Sequence, residues 1–99
     1  MYARVTKFVL GPDTQWEADR MADLANLLLS DMQGFQGILC LSQYDIGEYQ
    51  WTVFWETKEQ ADKAFEKTYP MFLDGLGDNL VFDRPIIQMY KVYDVKKIG

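Results

Sequence analysis

The spacing of apolar positions switches between a period of about two and a period of about 3.6 along the chain, and each switch marks a change of element. Tyr2 to Leu10 carries β-formers in partial alternation and stops at the turn signal Gly11-Pro12-Asp13. Thr14 followed by Glu17 reads as a capping box, and Met21, Leu24, Ala25, Leu28 and Met32 then recur on one helical face. Gly34 stops that helix, Gly37 follows, and Ile38 to Tyr44 is a short apolar β-run. Asp45-Ile46-Gly47 connects it tightly to Glu48 to Glu56, so the two runs are predicted to pair as an antiparallel hairpin. Thr57 with Gln60 repeats the capping-box pattern, and Ala61, Ala64, Phe65 and Thr68 continue one face of a second helix. Pro70 is predicted to interrupt it, with a short further helix through Met71, Phe72, Leu73 and Leu76 closed by Gly77. Arg84-Pro85 opens the last β-run, Ile86 to Val95, ahead of Lys96 and Lys97.

This order, strand, helix, strand, strand, helix, strand, predicts an α+β fold, ferredoxin-like βαββαβ with a four-stranded antiparallel sheet, once right-handed crossovers are assumed. Both helices then cover one face, and the other face is not polar as a solvated one would be. Glu48 to Glu56 places Tyr49, Trp51, Val53 and Trp55 on one parity, and Gln50, Thr52, Phe54 and Glu56 on the other. In the last run both parities are apolar, Ile86, Tyr90 and Val92 against Ile87, Met89, Tyr93 and Val95. Four strands about 4.8 Å apart and about 27 Å long give a face of roughly 500 Å², at the upper end of what monomers expose as one patch. Covering it yields on the order of 12 kcal/mol per subunit, against an association cost of roughly 4–15 kcal/mol. A homodimer joined sheet to sheet is the expectation.

Composition narrows the function classes. The 99 residues suit one domain, residues 1–99, and 15% aromatic content with 48% hydrophobic residues argues against disorder. Fifteen acids against ten bases give a net charge of -5, with bases scattered from Arg4 to Lys97, a surface that repels a phosphate backbone and an anionic bilayer alike. Neither nucleic acid nor membrane is an expected partner, and no signal or spanning segment opens the chain. The lone Cys40, in the apolar run Ile38-Leu39-Cys40-Leu41, reads as a buried thiol of a cytoplasmic protein. Histidine is absent, which removes the usual neutral-pH acid/base and the commonest metal ligand.

Three stretches carry a resemblance: Gly34-Phe35-Gln36-Gly37 after the first helix, Val53-Phe54-Trp55-Glu56-Thr57-Lys58-Glu59 at the strand-to-helix junction, and Tyr69-Pro70-Met71-Phe72 beyond it. With the element order, they resemble the antibiotic-biosynthesis-monooxygenase-like group of dimeric α+β barrels, over nearly the whole chain. The resemblance implies two ferredoxin-like subunits joined sheet to sheet, each with a pocket between its sheet and helices. It also implies a range of activities, including cofactor-independent oxygenation of polycyclic phenols and haem degradation. The haem-degrading branch has a pocket Asn where this chain has Arg4, a helical Trp at Ala64 and an iron-ligand His near Asp74, and none is retained. Other members use a His base on the second helix, and Ala64 to Thr68 holds none. Neither haem nor another cofactor is expected.

Cofactor-independent oxygenation asks for an aromatic pocket with a cation or phenolic donors, because a nearby cation lowers the cost of forming the substrate's anion. Arg4, mid-strand and matching a pocket position of the family, is the catalytic candidate; the alternative for it is a salt bridge, at the dimer edge or with Glu56. Trp51, Trp55, Phe65, Tyr69, Phe72 and Tyr90 are the candidate substrate-binding residues, with plain core packing as their alternative, above all for Trp55 beneath the second helix. Tyr44 and Tyr93 add further phenols, donors rather than bases. Asp19 with Asp23, and Glu59, Asp62 and Glu66, interleave with Arg20, Lys58, Lys63 and Lys67 as solvated helix faces do. Asp74, Asp78 and Asp83 lack EF-hand spacing, so no metal site is expected. The functional expectation is a cofactor-independent monooxygenase of a small aromatic phenol or quinol. Its rivals are a non-catalytic small-molecule-binding module and a structural or regulatory dimer, the last of which would leave no continuous cavity near Arg4.

Overall fold

A computed structural model describes residues 1–77 and 85–93. The order is β1 (Tyr2–Val9), α1 (Gln15–Leu29), β2 (Phe35–Gln43), β3 (Glu48–Trp55), α2 (Lys58–Leu76) and β4 (Ile86–Lys91). The four strands form one antiparallel sheet in the order β2-β3-β1-β4, so the fold is the ferredoxin-like α+β arrangement that the sequence predicts. Asp78 and Asp83, and the last β-run's predicted extension over Asp94 and Val95, lie outside the described residues.

Register decides which side chains meet the helices. Tyr2, Arg4, Thr6 and Phe8 of β1 pair with Trp55, Val53, Trp51 and Tyr49 of β3. This parity faces α1 and α2, because Phe8, Tyr49 and Trp51 cluster with Ala18 of α1 and Leu76 of α2. The other parity forms the open face. There Ala3, Val5 and Thr52 are buried between larger neighbours, while Leu39, Leu41, Ile86 and Tyr90 stand exposed.

The helix-facing core divides into two lobes. One gathers Phe8, Leu10, Ala18, Tyr49, Trp51 and Leu76; the other gathers Leu29, Val53, Trp55, Ala61 and Ala64. Arg4 and Thr6, polar residues on the inward parity of a central strand, sit where one continuous core would otherwise run. The apolar stripe of α1 consequently differs from expectation: only Ala18 and Leu29 are buried, and Leu24 is 53% exposed. The helix stands off the sheet across a gap instead of packing flat on it.

The local signals met different fates. Thr57 and Gln60 form the reciprocal capping box at the start of α2. Thr14 caps α1 without one, because its hydroxyl donates to the Gly11 carbonyl at 2.7 Å and shares a hydrogen bond with the Tyr49 phenol at 2.8 Å. Pro70 does not break α2, which runs through it to Leu76. Pro70 and Glu66 both lie on the exposed side, where water can satisfy the carbonyl that proline leaves without a donor. Cys40 is exposed on edge strand β2 and is not the buried thiol expected.

Candidate functional site

A cavity of about 540 Å³ fills the gap between α1, α2 and the inward face of the sheet. Sealed and empty, such a void would cost on the order of 13 kcal/mol at about 24 cal/mol per Å³, comparable with the entire stability of a small domain. It is instead open to solvent, and its size falls within the roughly 300–1,000 Å³ of small-molecule sites.

Among the described residues five aromatics line it, and the rings of Trp51, Phe65, Tyr69 and Phe72 form a connected wall. Phe65 and Tyr69 of α2 stack at 4.6 Å, Tyr69 and Phe72 lie 6.3 Å apart, and Phe72 meets Trp51 edge-on at 5.3 Å. Trp55, 2% exposed, both lines the cavity and plugs the second core lobe, so the two readings of it are compatible. Met21, Leu24 and Leu28 of α1 close the opposite side; their helical spacing made them look like ordinary core positions. Leu27, out of phase with that stripe, also lines the cavity, and it was the sequence signal that the helix had apolar work beyond one packed face.

Arg4 is the one charged side chain on the lining among the described residues. Its terminal nitrogen donates to Asp62 Oδ1 at 2.7 Å, and its guanidinium carbon lies 4.5 Å above the Phe65 ring. Within the chain the salt-bridge partner is therefore Asp62 on α2 and not Glu56. Asp62 is correspondingly more than part of a solvated face: its other oxygen lies 3.5 Å from Lys58 Nζ. Arg4 Nε is buried and has no partner among the described residues. A buried donor on a charged group without an acceptor is costly, and because no water-sized atom can touch it, an oxygen from water or a ligand satisfies it only if the side chains around it shift.

Tyr90 does not belong to this constellation. It pairs with Ala3, whose parity faces away from the helices, and its hydroxyl donates to Gln88 Oε1 at 2.9 Å on the open face. Tyr44 and Tyr93 also fall outside the lining, Tyr44 donating to Asp19 Oδ1 at 2.8 Å. That hydrogen bond pushes the Tyr44 phenol above its ordinary value, as the neutral form is the donor.

No protein-family model matches the chain, and no curated protein matches it in sequence. Solved structures do match. The monooxygenase encoded by ActVA-Orf6 of Streptomyces coelicolor, in complex with nanaomycin D, superposes with a TM-score of 0.75 at 14% identity, covering 99% of this chain and 92% of that one. A variant of MhuD with two manganese protoporphyrin IX bound per active site gives 0.74 at 15% identity, over 98% and 100%. SnoaB, a cofactor-independent oxygenase from Streptomyces nogalater, gives 0.71 at 15% identity, over 95% and 94%. Further matches carry the antibiotic biosynthesis monooxygenase name. The chain thus has the ferredoxin-like fold of the antibiotic biosynthesis monooxygenase proteins, as its motifs implied.

The porphyrin-bound match poses haem as a ligand, and the donors present do not fit it. The sequence has no His, Cys40 lies outside the lining, and Tyr69 is held flat in the row between Phe65 and Phe72. Among the described residues, no group of three His, Cys, Asp or Glu side chains can hold a metal ion, and no helix is long and apolar enough to cross a membrane.

Proposed function

We propose that the cavity binds a small planar phenol or quinol of polyketide type and that the chain is a cofactor-independent monooxygenase for it. The observation that carries this proposal is an aromatic cavity with, among the described residues, a single cation, Arg4, whose buried Nε has no acceptor among them. Trp51, Trp55, Phe65, Tyr69 and Phe72 wall the substrate, and Arg4 holds its oxygen as the anion forms. The ring carbon of that anion then supplies electrons to dioxygen and a carbon–oxygen bond forms. For an anthrone, the resulting hydroperoxide loses water: both methylene hydrogens leave in it, and one oxygen atom remains as the new carbonyl. The substrate provides all the electrons, so the balance needs no cofactor. The folds of ActVA-Orf6 monooxygenase and SnoaB support the proposal through architecture.

The working unit we propose is a cytoplasmic homodimer of this single domain, joined through the open face, where Leu39, Leu41, Ile86 and Tyr90 are exposed. Tyr90 then serves the interface and not the pocket. A purely structural dimer predicts no cavity beside Arg4, and the cavity there counts against it. A binding module without turnover is favoured by one observation: no carboxylate or imidazole lines the cavity among the described residues to take a proton. Oxygen uptake by the metal-free protein over anthrones and naphthoquinols, with Arg4→Ala alongside, separates the two. Uptake lost in the variant supports oxygenation; binding without uptake above the spontaneous rate supports the module.

A further inference from the structure

Lys58, Asp62 and Phe65 occupy one stripe of α2 at i, i+4 and i+7, and the Arg4 guanidinium lies against that stripe. Asp62 accepts from one terminal nitrogen of the guanidinium at 2.7 Å while Phe65 supports its face at 4.5 Å, and together they orient the group. The nitrogen that Asp62 holds belongs to both of the two-pronged edges that a guanidinium offers a carboxylate. A ligand carboxylate on either edge would therefore share that nitrogen with Asp62 and bring a second negative charge beside it. Among the N–H groups that Asp62 leaves free, Nε is buried and has no acceptor among the described residues, and it can donate to a single oxygen once the side chains around it shift to admit one.

We propose that Asp62 sets the ligand class of the cavity: by occupying Arg4, it admits a ligand offering one oxygen, a phenol or a quinone, and turns away one offering a carboxylate. This rests on the cavity being a ligand site. Asp62 acts through Arg4 and is a positioning residue; it is half-exposed, with 47% of its side chain accessible, so its replacement leaves the core intact. Lys58 steadies the second carboxylate oxygen of Asp62 from the exposed side of α2.

Titrating the purified protein with 1-naphthol and with 1-naphthoate, read by tryptophan fluorescence, tests this on ligands of one ring system. The wild-type chain is expected to bind the naphthol at least about tenfold more tightly than the naphthoate. Asp62→Asn, of the same shape without the charge, moves that ratio by about tenfold toward the naphthoate, and Asp62→Glu restores the wild-type preference. A merely structural role would weaken both ligands together and leave the ratio unmoved. An unchanged ratio in Asp62→Asn, or a wild-type preference for naphthoate, overturns the proposal while leaving the cavity a ligand site. Failure of both ligands to bind overturns the ligand-site reading and this proposal with it.

Discussion

Replacing Arg4 with Met removes the charge but retains an unbranched stem of similar reach, so stability and binding should respond separately. Three terms decide stability. The ion pair with Asp62, whose side chain is 47% exposed, stabilises by roughly 0.2–1 kcal/mol, discounted for screening by water. Contact with the Phe65 ring adds about 0.5–2 kcal/mol. Against both, Arg4 Nε is buried without an acceptor, a penalty of about 1–3 kcal/mol that the substitution relieves. The terms oppose one another, and urea unfolding should shift by no more than about 2 kcal/mol in either direction. A hydrogen bond from a charged group to the ligand contributes about 1.5–3 kcal/mol, so 1-naphthol should bind roughly 10- to 150-fold more weakly. Tryptophan fluorescence reports both, since Trp51 and Trp55 line the cavity. A stability loss above about 3 kcal/mol, or an affinity equal to the wild type, would refute the reasoning: the first makes Arg4 structural, the second removes it from the ligand.

Other substitutions test the frame that holds the cavity. Gly47 has φ +69, and a Cβ there would lie 1.6 Å from the Gly11 carbonyl oxygen, a backbone atom in a turn already hydrogen-bonded to Gly47 through Leu10 N at 2.8 Å. Gly47→Ala should cost at least about 2 kcal/mol in urea unfolding, and an unchanged midpoint would contradict the turn-to-turn contact. Pro70→Ala should stabilise by about 1–3 kcal/mol by returning a donor to the Glu66 carbonyl; destabilisation would show that the proline ring is packed. The Cys40 thiol is pushed above its usual 9.0, first by burial on the helix-facing side of β2 even though the residue as a whole is exposed, then by Asp23 and Asp19. A raised value means less thiolate at any given pH, so alkylation by iodoacetamide should run slower than for a free peptide cysteine and faster in Asp23→Asn; a rate equal to the peptide's would contradict this.

Element order and the hairpin were legible because Tyr49 to Trp55 is dense in β-formers and Asp45-Ile46-Gly47 is a strong turn signal. What escaped local pattern depended on contacts far along the chain. Thr14 and Thr57 look alike in sequence, yet the Thr14 hydroxyl is drawn away by Tyr49, a strand residue that no i to i+3 spacing reveals. Whether Pro70 breaks a helix depends on which side of α2 it occupies, and it occupies the exposed one. Arg4 and five of the six aromatic candidates do meet around one cavity, since parity on β1 and β3 and helical spacing on α2 are short-range properties. Tyr90 fails because its facing is set by pairing with Ala3 across more than eighty residues, and the Asp62 partnership is invisible until α2 is laid over β1. The void itself had no sequence signature apart from the surplus leucines of α1: hydrophobic residues around a cavity have the spacing of hydrophobic residues around a core.

A crystal structure of the protein soaked with 1-naphthol tests the cavity most directly. Its ring should lie against the wall that Trp51 and Phe72 make, between α1 and α2, with the oxygen within hydrogen-bond reach of Arg4 Nε. A naphthol on the open sheet face, or one seated in the cavity with its oxygen turned away from Arg4, would contradict the proposed site.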